Sequence, residues 1–140
     1  MATLERAIQI AVEAHRGQKD KAGAPYILHP LRVMMSFNSE KEMTVAVLHD
    51  VIEDSDWTAE QLRDEGFSKE IILAVECVTK RKGESYEDFV ERSKRNPIAR
   101  KVKIADLEDN MNIFRIGKLT EDDLKRLERY HRAWQMLSKG

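Results

Sequence analysis

A histidine and three acidic residues stand together inside an apolar part of the sequence. His49 and Asp50 are adjacent in the run ThrValAlaValLeuHisAspValIle, and the acidic pair Glu53–Asp54 follows shortly after it. Burying such charged groups among valine, leucine and isoleucine would cost several kcal/mol unless a partner of opposite charge compensated them. If the run is helical, His49 shares a face with Glu53 and Asp50 shares one with Asp54, because each pair is four residues apart. The pattern therefore indicates a cation site with acidic groups beside it.

A second histidine and a further aspartate complete a candidate ligand set. His29 lies upstream in ProTyrIleLeuHisPro, and Asp106 lies downstream in LysIleAlaAspLeuGluAspAsn. Two imidazoles and two carboxylates form a mixed nitrogen and oxygen donor set, which suits Mn, Fe, Co, Ni or Zn and suits Ca poorly. With only four protein ligands, water could occupy the remaining positions. We predict a divalent metal site formed by His29, His49, Asp50 and Asp106.

The elements that must position these residues are helices. Apolar residues recur at intervals of three and four along most of the chain, and no strand, hairpin or repeat signal is convincing. We therefore expect an all-α fold of six to eight helices. The expected helices lie close to residues 4–15, 30–37, 40–52, 59–65, 69–79, 85–96, 97–110 and from 120 onward. The helix carrying His49 and Asp50 is apolar on most sides and should be central, and His29 should lie just before the helix that Pro30 opens.

Several helix starts carry capping residues. Thr58 and Ser68 are expected N-caps, Asn96 precedes a first-turn proline, and Thr120 with Asp123 resembles a capping box. The last helix should present one apolar stripe, formed by Leu124, Leu127, Trp134 and Leu137. That stripe could complete the core or form an oligomer interface. His15, at the end of the first helix, is expected to be a structural histidine interacting with the helix dipole.

Composition limits the classes of protein to which the chain can belong. At 140 residues with 41% hydrophobic and 35% charged residues, it suits one globular domain spanning residues 1–140. No stretch approaches the roughly 18 apolar residues of a membrane span, and no signal peptide is evident, so we expect a cytoplasmic protein without membrane contact. A formal net charge of −1 gives no positive field to attract nucleic acid, and no nucleic-acid partner is expected.

Four motifs in order resemble the HD-domain phosphohydrolases. AlaHisArgGlyGln at 14–18, GlyAlaProTyrIleLeuHisPro at 23–30, LeuHisAspValIleGluAsp at 48–54 and ValLysIleAlaAspLeuGluAspAsn at 102–110 are similar to the hydrolase domain of the RelA/SpoT homologues and the small alarmone hydrolases. The resemblance covers roughly residues 4–115. It implies a compact helical bundle of the HD type.

The resemblance also implies an activity and a set of roles. The activity is metal-dependent removal of pyrophosphate from the 3′ position of guanosine tetra- or pentaphosphate, usually with manganese, by water that the metal activates. The metal ligands would be the four residues proposed above. Glu53 and Asp54 match the family's acidic pair beside the attacking water, and Asn110 matches a nucleotide-contacting asparagine. Lys103 shares a face with Asp106 and could meet a phosphate, as could Lys21 on the loop before His29.

The chain departs from this family at positions expected on the nucleotide side. Asp20 stands where the family has an arginine that packs on guanine, and Leu107 and Asp109 replace a basic residue and an aromatic or histidine. An acidic residue cannot make the cation–π contact of an arginine. Two other functions therefore stay open: a phosphatase acting on another nucleotide or phosphorylated small molecule, and a metal- and nucleotide-binding sensor without turnover.

Overall fold

The computed structural model describes residues 2–139, and helices dominate it from the first of these residues to the last. Within that range the chain forms nine α-helices, eight of them with six or more residues, and no strand. The helices are α1 (Leu4–Ala14), α2 (Leu28–Met34), α3 (Glu40–Leu48), α4 (Val51–Asp54), α5 (Ala59–Asp64), α6 (Lys69–Cys77), α7 (Tyr86–Lys94), α8 (Pro97–Asn110) and α9 (Glu121–Ser138). A short 3₁₀ helix, Ile113–Arg115, lies between α8 and α9. The predicted all-α class is confirmed.

Side-chain caps begin the helices where the sequence predicts them. Thr58 and Ser68 cap α5 and α6, and the Asn96 side chain accepts from two backbone N–H groups at the start of α8. Thr120 and Asp123 form the predicted capping box of α9. These residues satisfy N–H groups that have no partner within their own helix.

The predicted helix over residues 40–52 is interrupted at His49 and Asp50. Helix α3 ends at Leu48 and α4 begins at Val51. In a continuous helix the Ala46 carbonyl would accept the N–H of Asp50. Here it accepts from the backbone N–H of His49, at 3.4 Å, and from His49 Nδ1, at 2.6 Å. The histidine side chain therefore takes over a backbone acceptor, and both site residues lie at the break.

Helix α2 also differs from its prediction. It begins at Leu28, so His29 lies inside its first turn, and it ends at Met34 rather than near residue 37. Pro30 is tolerated as the third helical residue because the N–H groups of the first turn need no partner within the helix. After Met34 the chain tightens through a hydrogen bond from the Phe37 N–H to the Met34 carbonyl, at 3.2 Å.

The main core is built around α3, as its apolar sequence predicts. Residues 45–48 are fully buried, and α3 packs against α1, α2, α6 and α8. A second, smaller cluster is formed where α9 meets α7 and α8. Within residues 2–139, no helix is both long and apolar enough to cross a membrane.

The stripe predicted on α9 is only partly buried. Leu137 is fully buried in the second cluster, together with Ala133, but Leu124 is 52% exposed. Leu124 lies in the first turns of α9, before the helix reaches this cluster. The cluster also contains Leu107, which is fully buried. The resemblance predicts Leu107 on the nucleotide side. This prediction is wrong, because Leu107 packs in the core.

Candidate metal centre

Four side chains from three regions of the fold converge on one point. Helix α2 supplies His29, the break between α3 and α4 supplies His49 and Asp50, and α8 supplies Asp106. Each offers one ligand atom, and these atoms all lie within 4.8 Å of one another. We call this set the His/Asp cluster. The structure thus brings together all four residues that the sequence predicts as ligands.

The cluster is compact and mostly shielded from solvent. Asp106 Oδ1 lies 2.8 Å from His29 Nε2 and 3.3 Å from His49 Nε2, while Asp50 Oδ2 lies 3.0 Å from His49 Nε2. Both histidines and Asp106 are buried, with residue exposures of 4% or less. A buried group of nitrogen and oxygen donors at this spacing fits a divalent transition metal.

Both imidazole rings are oriented from their outer nitrogen. His49 Nδ1 donates to the Ala46 carbonyl, and His29 Nδ1 donates to Asp109 Oδ2, each at 2.6 Å. Both Nε2 atoms consequently face the centre of the cluster. Metal-binding histidines in proteins are commonly held in this way, which fixes the tautomer and the ring orientation.

The charges of the cluster shift the proton affinities of its members. Burial alone lowers the pKa of each histidine, but nearby carboxylates outweigh it: hydrogen bonds with Asp106 and Asp109 raise the pKa of His29, and the charges of Asp50 and Asp106 raise that of His49 well above its ordinary value. Burial raises the pKa of Asp106, yet Lys103 and His49 together bring it well below its usual range. The site therefore favours ionised carboxylates, the form in which aspartate binds a metal.

Asp106 also has two polar neighbours on its own helix. Lys103 Nζ donates to Asp106 Oδ2 at 2.8 Å, and Asn110 Nδ2 donates to Oδ1 at 3.1 Å. The Lys103 side chain is only 12% exposed, and its ammonium lies 5.0 Å from the centre of the Phe89 ring. The structure thus places Lys103, predicted as a phosphate contact, against the aspartate at the back of the cluster.

The two acidic residues after the cluster have different surroundings. Glu53 Oε1 accepts the backbone N–H of Lys80 at 2.6 Å, which ties it to the loop after α6. The backbone carbonyl of Asp54 accepts from the Gln18 side chain at 2.9 Å, while the charges of Asp50 and His15 act on its carboxyl. Partial loss of hydration raises the pKa of both carboxyls. The hydrogen bond from the Lys80 N–H opposes this rise for Glu53, and the charge of Asp50 adds to it for both residues.

A cavity of about 400 Å³ opens beside His29. Its lining includes Asn110 and Lys21, which are expected to contact the substrate. It also includes Asp20, which replaces the family's arginine. Most of the remaining charged residues that line the cavity are basic, and one is acidic: Lys19, Arg32, Arg115, Arg126 and the acidic Asp123. A cavity of this size and charge suits a small anionic ligand.

Sequence reasoning did not assign three residues that the structure places at the site. The hydroxyl of Tyr26 donates to Asp50 Oδ2, and burial followed by the charge of Asp50 raises the pKa of Tyr26. Asp109 contacts His29 and forms a double hydrogen bond with Arg32, at 2.8 and 3.0 Å. Tyr26 lies in the quoted motif three residues before His29, so its position gave a signal. From the sequence alone, Asp109 is only a departure from the family on the nucleotide side.

His15 is buried at the end of α1. The residue is 2% exposed, its Nδ1 lies 2.9 Å from Gln18 Oε1, and its ring centre lies 5.0 Å from that of Tyr26. Among residues 2–139, its Nε2 has no hydrogen-bond partner. The motif at 14–18 thus packs behind Tyr26 and supports it.

Comparison with known proteins identifies relatives of this chain. The chain is 32% identical over 130 residues to a guanosine-3′,5′-bis(diphosphate) 3′-pyrophosphohydrolase of Aquifex aeolicus, covering 82% of this chain and 18% of the relative. It is 31% identical over 141 residues to the protein of the same name in Vibrio cholerae, covering 90% of this chain and 20% of the relative. A GTP pyrophosphokinase of Streptomyces coelicolor is 33% identical over 138 residues, covering 89% of this chain and 16% of the relative.

The chain belongs to the RelA/SpoT-type HD-domain family. A solved structure, described as a metazoan orthologue of SpoT that hydrolyses ppGpp, has the same fold: its TM-score is 0.82 at 23% identity, over 100% of this chain and 87% of that one. No protein-family model matches the sequence. This RelA/SpoT-type chain spans between 16% and 20% of the length of the three curated relatives described above.

Proposed function

We propose that this HD-domain chain is a metal-dependent phosphohydrolase that removes pyrophosphate from the 3′ position of a guanosine alarmone. The observation that carries the proposal is the His/Asp cluster, whose four ligand atoms lie within 4.8 Å of one another. The adjacent cavity, lined mainly by basic residues, supports an anionic substrate. The names of the relatives in Aquifex aeolicus and Vibrio cholerae support the choice of alarmone and product.

In this proposal the His/Asp cluster holds one divalent ion, and manganese is the first candidate. Such an ion would act as a Lewis acid and would lower the pKa of a water molecule near the scissile bond. The chain's own residues orient the ligands: Ala46 and Asp109 hold the two imidazoles, Tyr26 holds Asp50, and Lys103 holds Asp106. Two histidines and two aspartates suit manganese, iron, cobalt, nickel and zinc alike, so the donor set alone does not select manganese, which is the metal that the family resemblance implies.

The residues proposed for proton transfer are Glu53 and Asp54. Asp54 or Glu53 would accept the proton of the attacking water or return it to the leaving group. A raised pKa helps this role, because it brings a carboxyl closer to the pH at which it must both gain and lose a proton. Lys21 and Asn110 line the cavity and would contact the substrate.

A second candidate function is hydrolysis of another nucleotide or phosphorylated small molecule. Asp20 favours it, because this carboxylate is committed to its own loop: Oδ1 accepts the N–H groups of Ala22 and Ala24, each at 2.9 Å. It offers no cation to a guanine ring. The cluster itself would serve either substrate.

The test is an assay of the metal-stripped protein resupplied separately with Mn²⁺, Fe²⁺, Co²⁺ or Zn²⁺. Guanosine tetraphosphate, guanosine pentaphosphate and ordinary nucleotides are offered, and pyrophosphate and phosphate are measured separately. Pyrophosphate from the alarmones supports the first function, whereas turnover of another compound alone supports the second. Binding of metal and nucleotide without any product would favour a sensor and contradict both.

Matched histidine variants show whether the product comes from this site. His49→Ala should abolish turnover because it removes a ligand. His131→Ala removes an exposed histidine on α9 that stacks on Trp134, and turnover should persist. Equal loss in both variants would assign the activity elsewhere.

A further inference from the structure

Asp109 connects the candidate metal centre to the wall of the cavity. Its Oδ2 lies 2.6 Å from His29 Nδ1, and its two carboxylate oxygens accept from Arg32 Nε and Nη2 at 2.8 and 3.0 Å. Arg115 Nη2 donates to the backbone carbonyl of Asp109 at 3.0 Å and lies 3.5 Å from Oδ2. Asp109 therefore contacts three basic side chains, those of His29, Arg32 and Arg115.

We propose that Asp109 is a positioning residue that sets the orientation of His29 for metal binding. The proposal rests on the function proposed above, since it requires the His/Asp cluster to bind an ion. An ionised aspartate can only accept hydrogen bonds, so the proton between the two side chains belongs to His29 Nδ1. In the neutral ring, which is the form that binds a metal, the lone pair is then on Nε2 and faces the cluster.

The two histidines of the cluster are held by different means. The outer nitrogen of His49 is fixed by the carbonyl of Ala46, three residues earlier in the chain, whereas that of His29 is fixed by a residue from another helix. Asp109 follows Asp106 by three residues on α8. One helix therefore supplies both a ligand and the group that orients a second ligand, which ties the placement of α2 to that of α8.

The contacts of Asp109 are too sheltered to be an ordinary surface ion pair. The side chains of Asp109 and His29 are 13% and 5% exposed, and Arg32 approaches with two donors. Exposed ion pairs contribute little to stability, whereas two N–H donors from one arginine to a shielded carboxylate fix the geometry of the pair. Because Arg32 and Arg115 also line the cavity, Asp109 orients both a metal ligand and the cavity wall.

The test measures Mn²⁺ binding by calorimetry on the metal-stripped protein. Asp109→Ala should weaken Mn²⁺ binding by roughly 10- to 100-fold, the usual effect of losing such an outer partner. The control, Glu84→Ala, breaks a comparable sheltered pair, since Glu84 accepts from Arg92 at 2.8 and 2.9 Å with side chains 11% and 13% exposed. This control should lose folding stability yet bind Mn²⁺ as the wild type does.

Thermal unfolding of the metal-free proteins separates positioning from folding. Mn²⁺ affinity of a folded Asp109→Ala protein within twofold of wild type would overturn the proposal, as would an equal loss in Glu84→Ala. If Asp109→Ala does not fold, Asp109→Asn serves instead, because an amide oxygen cannot satisfy both His29 and Arg32 and should still weaken binding. Failure of the wild type to bind any ion would instead overturn the metal centre itself.

Discussion

Asp106 is the residue on which most contacts of the site converge. Its Oδ1 lies 2.8 Å from His29 Nε2 and 3.3 Å from His49 Nε2, and its carboxylate accepts from the ammonium of Lys103 and from the amide of Asn110. Lys103 is held in a sheltered position by this carboxylate. Asp106 therefore has a structural role in the metal-free protein besides its proposed role as a ligand.

Asp106→Asn should be strongly destabilising because it leaves a sheltered ammonium without its carboxylate. Breaking one side of such a pair typically costs about 3–5 kcal/mol, and urea unfolding of the metal-free protein would measure the loss. The control is Glu108→Gln, an exposed acid on the same helix, for which we expect a change within about 0.5 kcal/mol. A loss no larger than that of the control would show that Lys103 does not depend on Asp106.

We expect Asp54 and Glu53 to contribute unequally to catalysis. Asp54→Asn should lower kcat by about 10²- to 10⁴-fold while Mn²⁺ affinity changes little, since its carboxyl is a proposed proton acceptor and not a ligand. Glu53→Gln should lower kcat less, because Glu53 is already engaged with the Lys80 N–H. Asp56→Asn, at an exposed acid beyond the pair, is the matched control. Unchanged kcat in both Asp54→Asn and Glu53→Gln would remove the pair from the mechanism.

At the scale of elements, local signals in the sequence predicted most helix starts and missed the places where side chains from different helices meet. Thr58, Ser68 and Thr120 cap their helices because their hydroxyls reach N–H groups two or three residues away, which depends on neighbouring residues alone. The role of Asp109 depends on how α8 is rotated toward α2, which no local pattern contains. The break at His49 follows from a ring nitrogen competing for a backbone carbonyl, which helical periodicity does not reveal.

The loop between α6 and α7 is fixed by a salt bridge whose strength depends on pH. Arg92 binds both carboxylate oxygens of Glu84 and also donates to the carbonyls of Glu76 and Thr79. The hydrogen bond with Arg92 lowers the pKa of Glu84 from 4.5 to about 2. This loop carries the Lys80 N–H that holds Glu53.

Glu84→Gln should therefore destabilise the protein above pH 4.5 and matter progressively less in more acid solution. A carboxyl whose pKa is lower when folded contributes fully above its unfolded pKa, and this contribution is lost as pH falls toward the folded value of about 2. Urea unfolding of both metal-free proteins between pH 6 and about pH 3 measures the difference. A difference that stays constant across this range would contradict the assignment.

At the scale of the whole molecule, charge is distributed unevenly although the net charge is only −1. Carboxylates gather in the His/Asp cluster, and cations dominate the adjacent cavity. The net charge predicted neither patch. The sequence motifs predicted the members of the His/Asp cluster, whereas no motif predicted the basic cavity, because its residues come from several separate segments. The single domain over residues 1–140 stays a prediction.

An ion bound to the cluster should stabilise the entire fold, because the cluster joins α2, α8 and the break after α3. Mn²⁺ at 100 times its Kd should add about 2.7 kcal/mol to the free energy of unfolding. Differential scanning calorimetry should then show a higher Tm in Mn²⁺ than in chelator, with little effect of Ca²⁺. The same upward shift in His49→Ala would place the ion outside the cluster.

The most direct test of a metal-dependent hydrolase at this site is to titrate the metal-stripped protein with Mn²⁺ and follow pyrophosphate release from guanosine tetraphosphate. Turnover should be absent in chelator, rise with each increment of bound ion and level off at one ion per chain. Full turnover in chelator would contradict the metal centre. Saturation with one bound ion and no product from this or any other phosphorylated nucleotide would contradict the hydrolase.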